Sequence, residues 1–572
     1  MLCVTGGERK VPVLAAEADL RLDAGALDYA LLALYFVVVL GIGFLARRSV
    51  STSLDFLLSG RSLPAWVTGL AFVSANLGAI ELLGMAANGA QYGMATMHYY
   101  WVGAIPAMVF LGLVMMPFYY GSKVRSVPEF LRRRFGKGAH LVNAISFAVA
   151  QVLIAGVNLY ALALLLNLLL GWPIPLSVVI AALIVLAYTT LGGLSAAIYN
   201  EVLQFFVIIA ALLPLTIAGL HKVGGWQGLV DKVTAGPGGE EQLSAYPATE
   251  LTGFENPVLS VIGIVFGLGF VLSFGYWTTN FAEVQRALSA KSMSAAKRTP
   301  IIGAYPKALI PAVIVIPGII AAVVVPEVSA LKAGEAAGGV TYNNALPLLM
   351  RDLLPNGMLG VAITGLLASF MAGVAANVSS FNTVFTYDLW QDYVRKDRPD
   401  GYYLKVGRWA TIGGTVIAIG TAFLAAGYGN IMDYIQSLFS FFNAPLFATF
   451  ILGMFWKRMS AAAGWTGLVA GTLAAVLVFA LAETGVLDLP GQGASFLGAA
   501  AAFVVDIVVS VVVTLFTEPV PRERLSGLVY GLTPKGDLAH GTEGEDAGWY
   551  RSPALLGGGV LLLTAVLNIV FS

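Results

Sequence analysis

Residues 69–93 read GLAFVSANLGAIELLGMAANGAQYG. The run is apolar enough to enter a bilayer, yet Ala75-Asn76-Leu77-Gly78 interrupts it and Glu81 follows closely. A helix broken inside hydrocarbon frees backbone amides and carbonyls that lipid cannot satisfy. Breaks of this kind persist where they line a cavity, and in carriers they mark the solute and ion sites.

The rest of the chain supplies the membrane. Its 572 residues are 58% hydrophobic and only 11% charged, with mean hydropathy +0.82, whereas a soluble chain carries about a quarter charged residues. Apolar runs of about twenty residues recur, the length of a helix that spans a bilayer. A window of about nineteen residues predicts roughly fourteen spans, centred near 38, 76, 108, 154, 182, 209, 267, 313, 370, 417, 445, 471, 506 and 562. The first anchor is Tyr29 to Ala46, and the residues before it do not read as a cleaved signal peptide.

The loops divide by charge. Arg47, Arg48 and Arg61 follow the first span; Lys123, Arg125, Arg132, Arg133, Arg134 and Lys137 follow the third. Arg286, Lys291, Lys297 and Arg298 follow the seventh, and Arg395, Lys396, Arg398 and Lys405 follow the ninth. His221 to Pro257 holds only Lys222 and Lys232. Positive charge stays inside, so the basic loops are expected in the cytoplasm of a cell-membrane protein, with both termini outside.

Several functions are excluded. Balanced charge offers nothing to nucleic acid, and the lone Cys3 forms no intrachain disulfide. No GxxxxGK[ST] loop supports ATP-driven transport. Four histidines and one cysteine form no cluster for enzyme chemistry, and no organic cofactor is expected. A second loosened stretch, Gly267, Gly269, Ser273 and Gly275, lies in the seventh span. Interruptions at matching places in two halves point to a binding site at a repeat interface.

Eight segments resemble the sodium/solute symporter family, most closely its sodium/glucose cotransporter branch. They are residues 69–93, VRSVPEFLRRRFG (124–136), TTLGGLSAAIYNEVLQ (189–204), GYWTTNFAEVQRALSAKSMSAAKR (275–298), GAYPKALIPAVIVIPG (303–318), LPNGMLG (354–360), FTYD (385–388) and DYIQSLFSFFNAP (433–445). The resemblance implies an all-α, leucine-transporter-like membrane fold with two inverted five-helix repeats. It divides the chain into an external segment 1–28, a leading helix 29–46, a first repeat 64–220 and an external loop 221–257. A second repeat 258–456, trailing helices 461–516, a cytoplasmic linker 517–552 and a last helix 553–572 follow.

The same resemblance implies a site. Lys307 and Gln436 match positions that bind sugar hydroxyls, and Tyr276 matches a gate residue held by an asparagine, here Asn76. Trp277 belongs to the gate, and Ser273 is a further hydrogen-bonding candidate. Glu81 departs from the neutral residue usual there. It is read as a proton carrier, as a site for an amine-bearing solute, as a salt-bridge partner of Lys307, or as a water-facing group. Tyr100 stands where sugar transporters carry a glutamate, so a carboxylate has moved between helices. Glu201 matches an aspartate on the sodium exit path, Asn280 replaces an acidic residue, and Arg286 is read as loop architecture.

The shared sodium site would draw carbonyls from Ser74 and Leu77 and hydroxyls from the ninth span, where this chain has Ser369, Ala372 and Gly373. A hard cation of this kind takes about five or six oxygen ligands, and two of the hydroxyls are missing. The chain is therefore read as a monomeric symporter of a sugar or similar polar metabolite, driven by sodium according to the resemblance. A proton-coupled or uncoupled carrier, with Glu81 or Glu201 handling the proton, and a transporter-like sensor remain open. Ser379, Ser380 and Asn382 are read as helix-packing groups.

Overall fold

The computed structural model describes residues 21–46, 52–335, 339–534 and 548–571. Cys3, Arg47, Arg48 and residues 535–547 of the expected linker lie outside them. Among the described residues the chain is helical, and pairing between extended segments is limited to two isolated bridges, Leu63 with Ala290 and Ser460 with Pro519. Eleven helices are long and apolar enough to cross a membrane, one further span is bent, and Ala26–Ile42 and Ile174–Ala187 are shorter apolar helices.

The spans expected near 182 and 209 share one helical element. Ile174–Val223 is assigned as helix over 50 residues, within which Ile174–Ala187 and Ala197–Val223 are separate apolar stretches. The intervening TTLGGLSAA contains two glycines but no proline, so nothing removes a backbone donor and ends the helix.

The central element is Met358–Val394, buried along most of its length. It begins on a borrowed cap. Asp28, from the leading helix Ala26–Ala46, accepts from the amides of Gly357 and Gly360, both at 2.6 Å. A carboxylate suits the orphan amides and positive dipole of a helix start, so this contact fastens the leading helix to the core. Further along, Ser380 donates to Gln151 at 3.1 Å and Asn382 to Thr411 at 3.0 Å. These polar groups tie the helix to its neighbours, as small polar residues do between membrane helices.

At its far end, His140 Nε2 meets Asp388 Oδ1 at 2.9 Å and His140 Nδ1 meets the Tyr393 hydroxyl at 2.9 Å. Arg134, buried nearby, donates to the carbonyls of Gly453, Trp456 and Met459. It thereby caps the end of helix Ile431–Phe455, where carbonyls lack intrahelical partners.

The decisive break forms as expected. Ala65–Asn76 ends at Leu77, and the chain resumes as Ile80–Met97 after a bend of 58°. The freed groups find partners on other helices. The amide of Ala79 donates to Asn158 Oδ1 at 2.8 Å, and the carbonyl of Leu77 accepts from the Ser369 hydroxyl. The second interruption differs from expectation. Gly267 and Gly269 lie in a wide π-helical stretch, Gly263–Ser273, that continues without a break into Phe274–Thr279, which holds Gly275. The chain turns only at Asn280, whose side chain caps the next helix, Phe281–Leu288. Tyr276 and Trp277 therefore precede the turn rather than follow a break.

Candidate functional site

A partly open cavity lies at the break. Asn76, Glu81, Ser273, Tyr276, Trp277, Lys307 and Gln436 all line it. These come from four stretches of the chain, brought together because the break turns Asn76 and Glu81 inward.

Lys307 is buried, as its place in the apolar helix Met293–Leu309 requires. Its ammonium pairs with the Glu81 carboxylate and donates to Asn76 Oδ1. The rings of Tyr100 and Trp277 lie 5.1 Å from the same nitrogen, within cation–π range. Of the readings open for Glu81, the ion pair is the one the structure forms. The pair needs this company, because two charges taken out of water must satisfy their remaining valences.

Tyr100 lies behind the cavity wall and donates to Glu81 Oε2 at 3.2 Å. The carboxylate that the resemblance places at position 100 thus reaches the same neighbourhood from position 81. Ser273 fits beside Gly103, where any larger residue would strike its hydroxyl.

Gln436 supplies the open valence. Its side chain is buried and its Oε1 has no partner within the described protein. An amide oxygen left so at a cavity wall awaits a donor, since an unmade buried hydrogen bond costs about 1–3 kcal/mol. Phe439, one turn on, packs against Tyr276 with ring centroids 4.6 Å apart and the planes tilted by 31°.

Tyr276 closes one side. Its hydroxyl accepts from Asn76 Nδ2 at 3.0 Å and donates to Glu283 Oε1 at 2.8 Å. On another wall, Tyr99 donates to Gln492, which binds Asn88 at 3.2 Å and Asp433 at 3.0 Å. Glu283 and Gln492 escaped the sequence reading. For Glu283 a signal was present, because the acid missing at Asn280 recurs three residues later in NFAEVQR.

The sodium-site positions gather at the break, next to the cavity. Leu77 and Ser369 touch directly, and Ala372 and Gly373 follow one turn along. A side chain on Gly373 would collide with the Asn158 amide, as would one on Gly78. Asn158 Oδ1 therefore stands where the expected hydroxyl of residue 373 would lie. The hydroxyl of Ser74 is buried there without a partner. This donor set, of carbonyl, hydroxyl and amide oxygens, suits a hard monovalent cation.

Glu201 does not join the cavity. It forms a two-armed pair with Arg286, one arm at 3.2 Å, and both side chains are buried. Arg286 is thus a core residue holding a carboxylate rather than part of an exposed loop, and Glu201 lacks the freedom expected of a proton carrier.

The sodium:solute symporter family profile matches residues 56–471. A sodium/glucose cotransporter of Vibrio parahaemolyticus is 29% identical over 78% of this chain and 83% of that protein. Sodium/glucose cotransporter 1 of Ovis aries is 31% identical over 91% of this chain and 83% of that protein. Among solved structures, a Na⁺-coupled sialic acid symporter in a substrate-bound outward-open state overlays with TM-score 0.71 and 21% identity. It covers 86% of this chain and 99% of that one, and the likeness establishes a leucine-transporter-like fold.

Proposed function

Because the chain belongs to the sodium:solute symporter family, we propose that this secondary active symporter takes up a sugar-like, polyhydroxylated solute together with sodium. The observation that carries the reading is the Lys307–Glu81 pair with the unpartnered Gln436 on one cavity wall. A sugar hydroxyl both donates and accepts, so one hydroxyl can answer the ammonium while another answers a carboxylate or amide oxygen. Trp277 and Tyr276 offer aromatic faces to the less polar face of a ring.

Sodium would be held by the carbonyl of Leu77, the hydroxyl of Ser369 and the amide oxygen of Asn158. The basic loops face the cytoplasm, both termini face outside, and the monomer resides in the cell membrane. The two repeats, 64–220 and 258–456, rock about the site to expose it to each side in turn. Ala372 and Gly373 favour a second reading, a carrier that moves its solute without sodium.

The test is uptake of labelled glucose and galactose into proteoliposomes under imposed sodium, choline or proton gradients. Sodium-dependent accumulation is expected. Accumulation that follows only the proton gradient, or equilibration without any gradient, selects the second reading. Replacing Gln436 by alanine should raise the half-saturating sugar concentration about tenfold, equivalent to about 1.4 kcal/mol, with little change in thermal stability. An unaltered half-saturation would remove Gln436 from the solute site.

A further inference from the structure

We propose that Glu283 is a proton-binding site that locks and unlocks the gate formed by Tyr276. Glu283 sits on the short helix Phe281–Leu288 between two spans and is 2% exposed. One carboxylate oxygen accepts the Tyr276 hydroxyl at 2.8 Å; the other has no partner within the described protein.

Four titratable groups face it. Arg286 comes from its own helix, Glu201 from Ile174–Val223, Lys307 from Met293–Leu309 and Tyr276 from Phe274–Thr279. Both cations are already committed, Arg286 to Glu201 and Lys307 to Glu81. Among the described residues, no cation lies within ion-pair distance of Glu283. A buried carboxylate in that position takes up a proton readily. Burial pushes Glu283 up to about 7, the Tyr276 hydrogen bond first and then the neighbouring cations offsetting part of the rise.

Protonation changes the bond that matters for the gate. The carboxylate holds the Tyr276 hydroxyl by a charge-assisted hydrogen bond, roughly twice as strong as a neutral one. When a proton from water binds the carboxylate, that strength falls, and Asn76 is left as the other tether on Tyr276. The ring then yields more easily, opening the cavity on that side. When the proton leaves, the charge returns and the ring is recaptured. The device works with either coupling ion and is independent of the solute.

The experiment needs no solute, so its outcome is separate from that of the sugar proposal. In lipid nanodiscs, infrared difference titration should show carboxylic C=O absorbance growing with a midpoint near pH 7, and Glu283→Gln should remove one carboxyl's share of it. In a Cys3→Ser background, Ser273→Cys reports access to the cavity through its rate of modification by a water-soluble thiol reagent. Taken relative to the rate of a free thiol at the same pH, since only the thiolate reacts, this rate should rise about fivefold as the pH falls through 7. In Glu283→Gln it should be high throughout. Tyr276→Phe, which keeps the carboxyl but removes its hydroxyl partner, should retain the infrared band and lose the pH dependence of access. A titration left undiminished by Glu283→Gln, or access that still follows pH in that variant, overturns the proposal.

Discussion

Lys307→Ala is expected to abolish uptake and to destabilise the protein by about 3–5 kcal/mol, the range for breaking a buried ion pair from one side. The substitution leaves the Glu81 carboxylate in the cavity wall with only the Tyr100 hydroxyl at 3.2 Å to face it. It also frees Asn76 Oδ1 and strips the cation from between Tyr100 and Trp277. Thermal unfolding in detergent measures the first effect and proteoliposome uptake the second. The pair Glu81→Gln with Lys307→Met separates them. Removing both charges together should restore most of the stability, because no buried charge is left unpaired, while uptake stays absent for want of the ammonium. Full uptake by Lys307→Ala would place solute recognition elsewhere.

The second large effect concerns the ion. Ser369→Ala is expected to weaken sodium about a hundredfold, equivalent to about 2.7 kcal/mol, because it removes the hydroxyl that meets the Leu77 carbonyl. Asn158→Ala should do the same while also orphaning the Ala79 amide. Gly373→Ser alone should destabilise, since its side chain meets the Asn158 amide. Asn158→Ala combined with Gly373→Ser should recover sodium dependence, because a hydroxyl then enters the space the amide vacates. The readout is thermal stability against sodium concentration at constant ionic strength. Recovery of stability without recovery of sodium dependence would reduce Asn158 to a cap on the broken helix.

Much of the architecture was legible because it is written locally. Hydropathy runs gave the spans, and Asn76-Leu77-Gly78 inside one of them gave the break. Membership of the family followed from motifs read in order along the chain. What was not legible depends on partners far apart in sequence. Asn158 is a single amide in the apolar run QVLIAGVNLYALALLL, and nothing near it announces a role. Its meaning comes from Ala79 and Gly373. Arg286 sits among the basic residues of a loop, and only the fold reveals Glu201 against it. The seventh span misled for another reason. Glycines permit a broken helix but do not compel one, and here a wider helical turn absorbs them while Asn280 makes the turn.

The Glu201–Arg286 pair joins a helix of the proposed first repeat to one of the second, just beyond the gate, with both side chains sealed from water. Leaving either charge of such a pair buried alone costs about 3–5 kcal/mol, so the contact ties the two helices together at a point away from the cavity. In the proposed rocking motion such a tie would act as a fulcrum, with displacement smallest there and growing with distance from it. A covalent crosslink replacing the pair should then leave transport running, whereas the same link placed across the cavity should stop it.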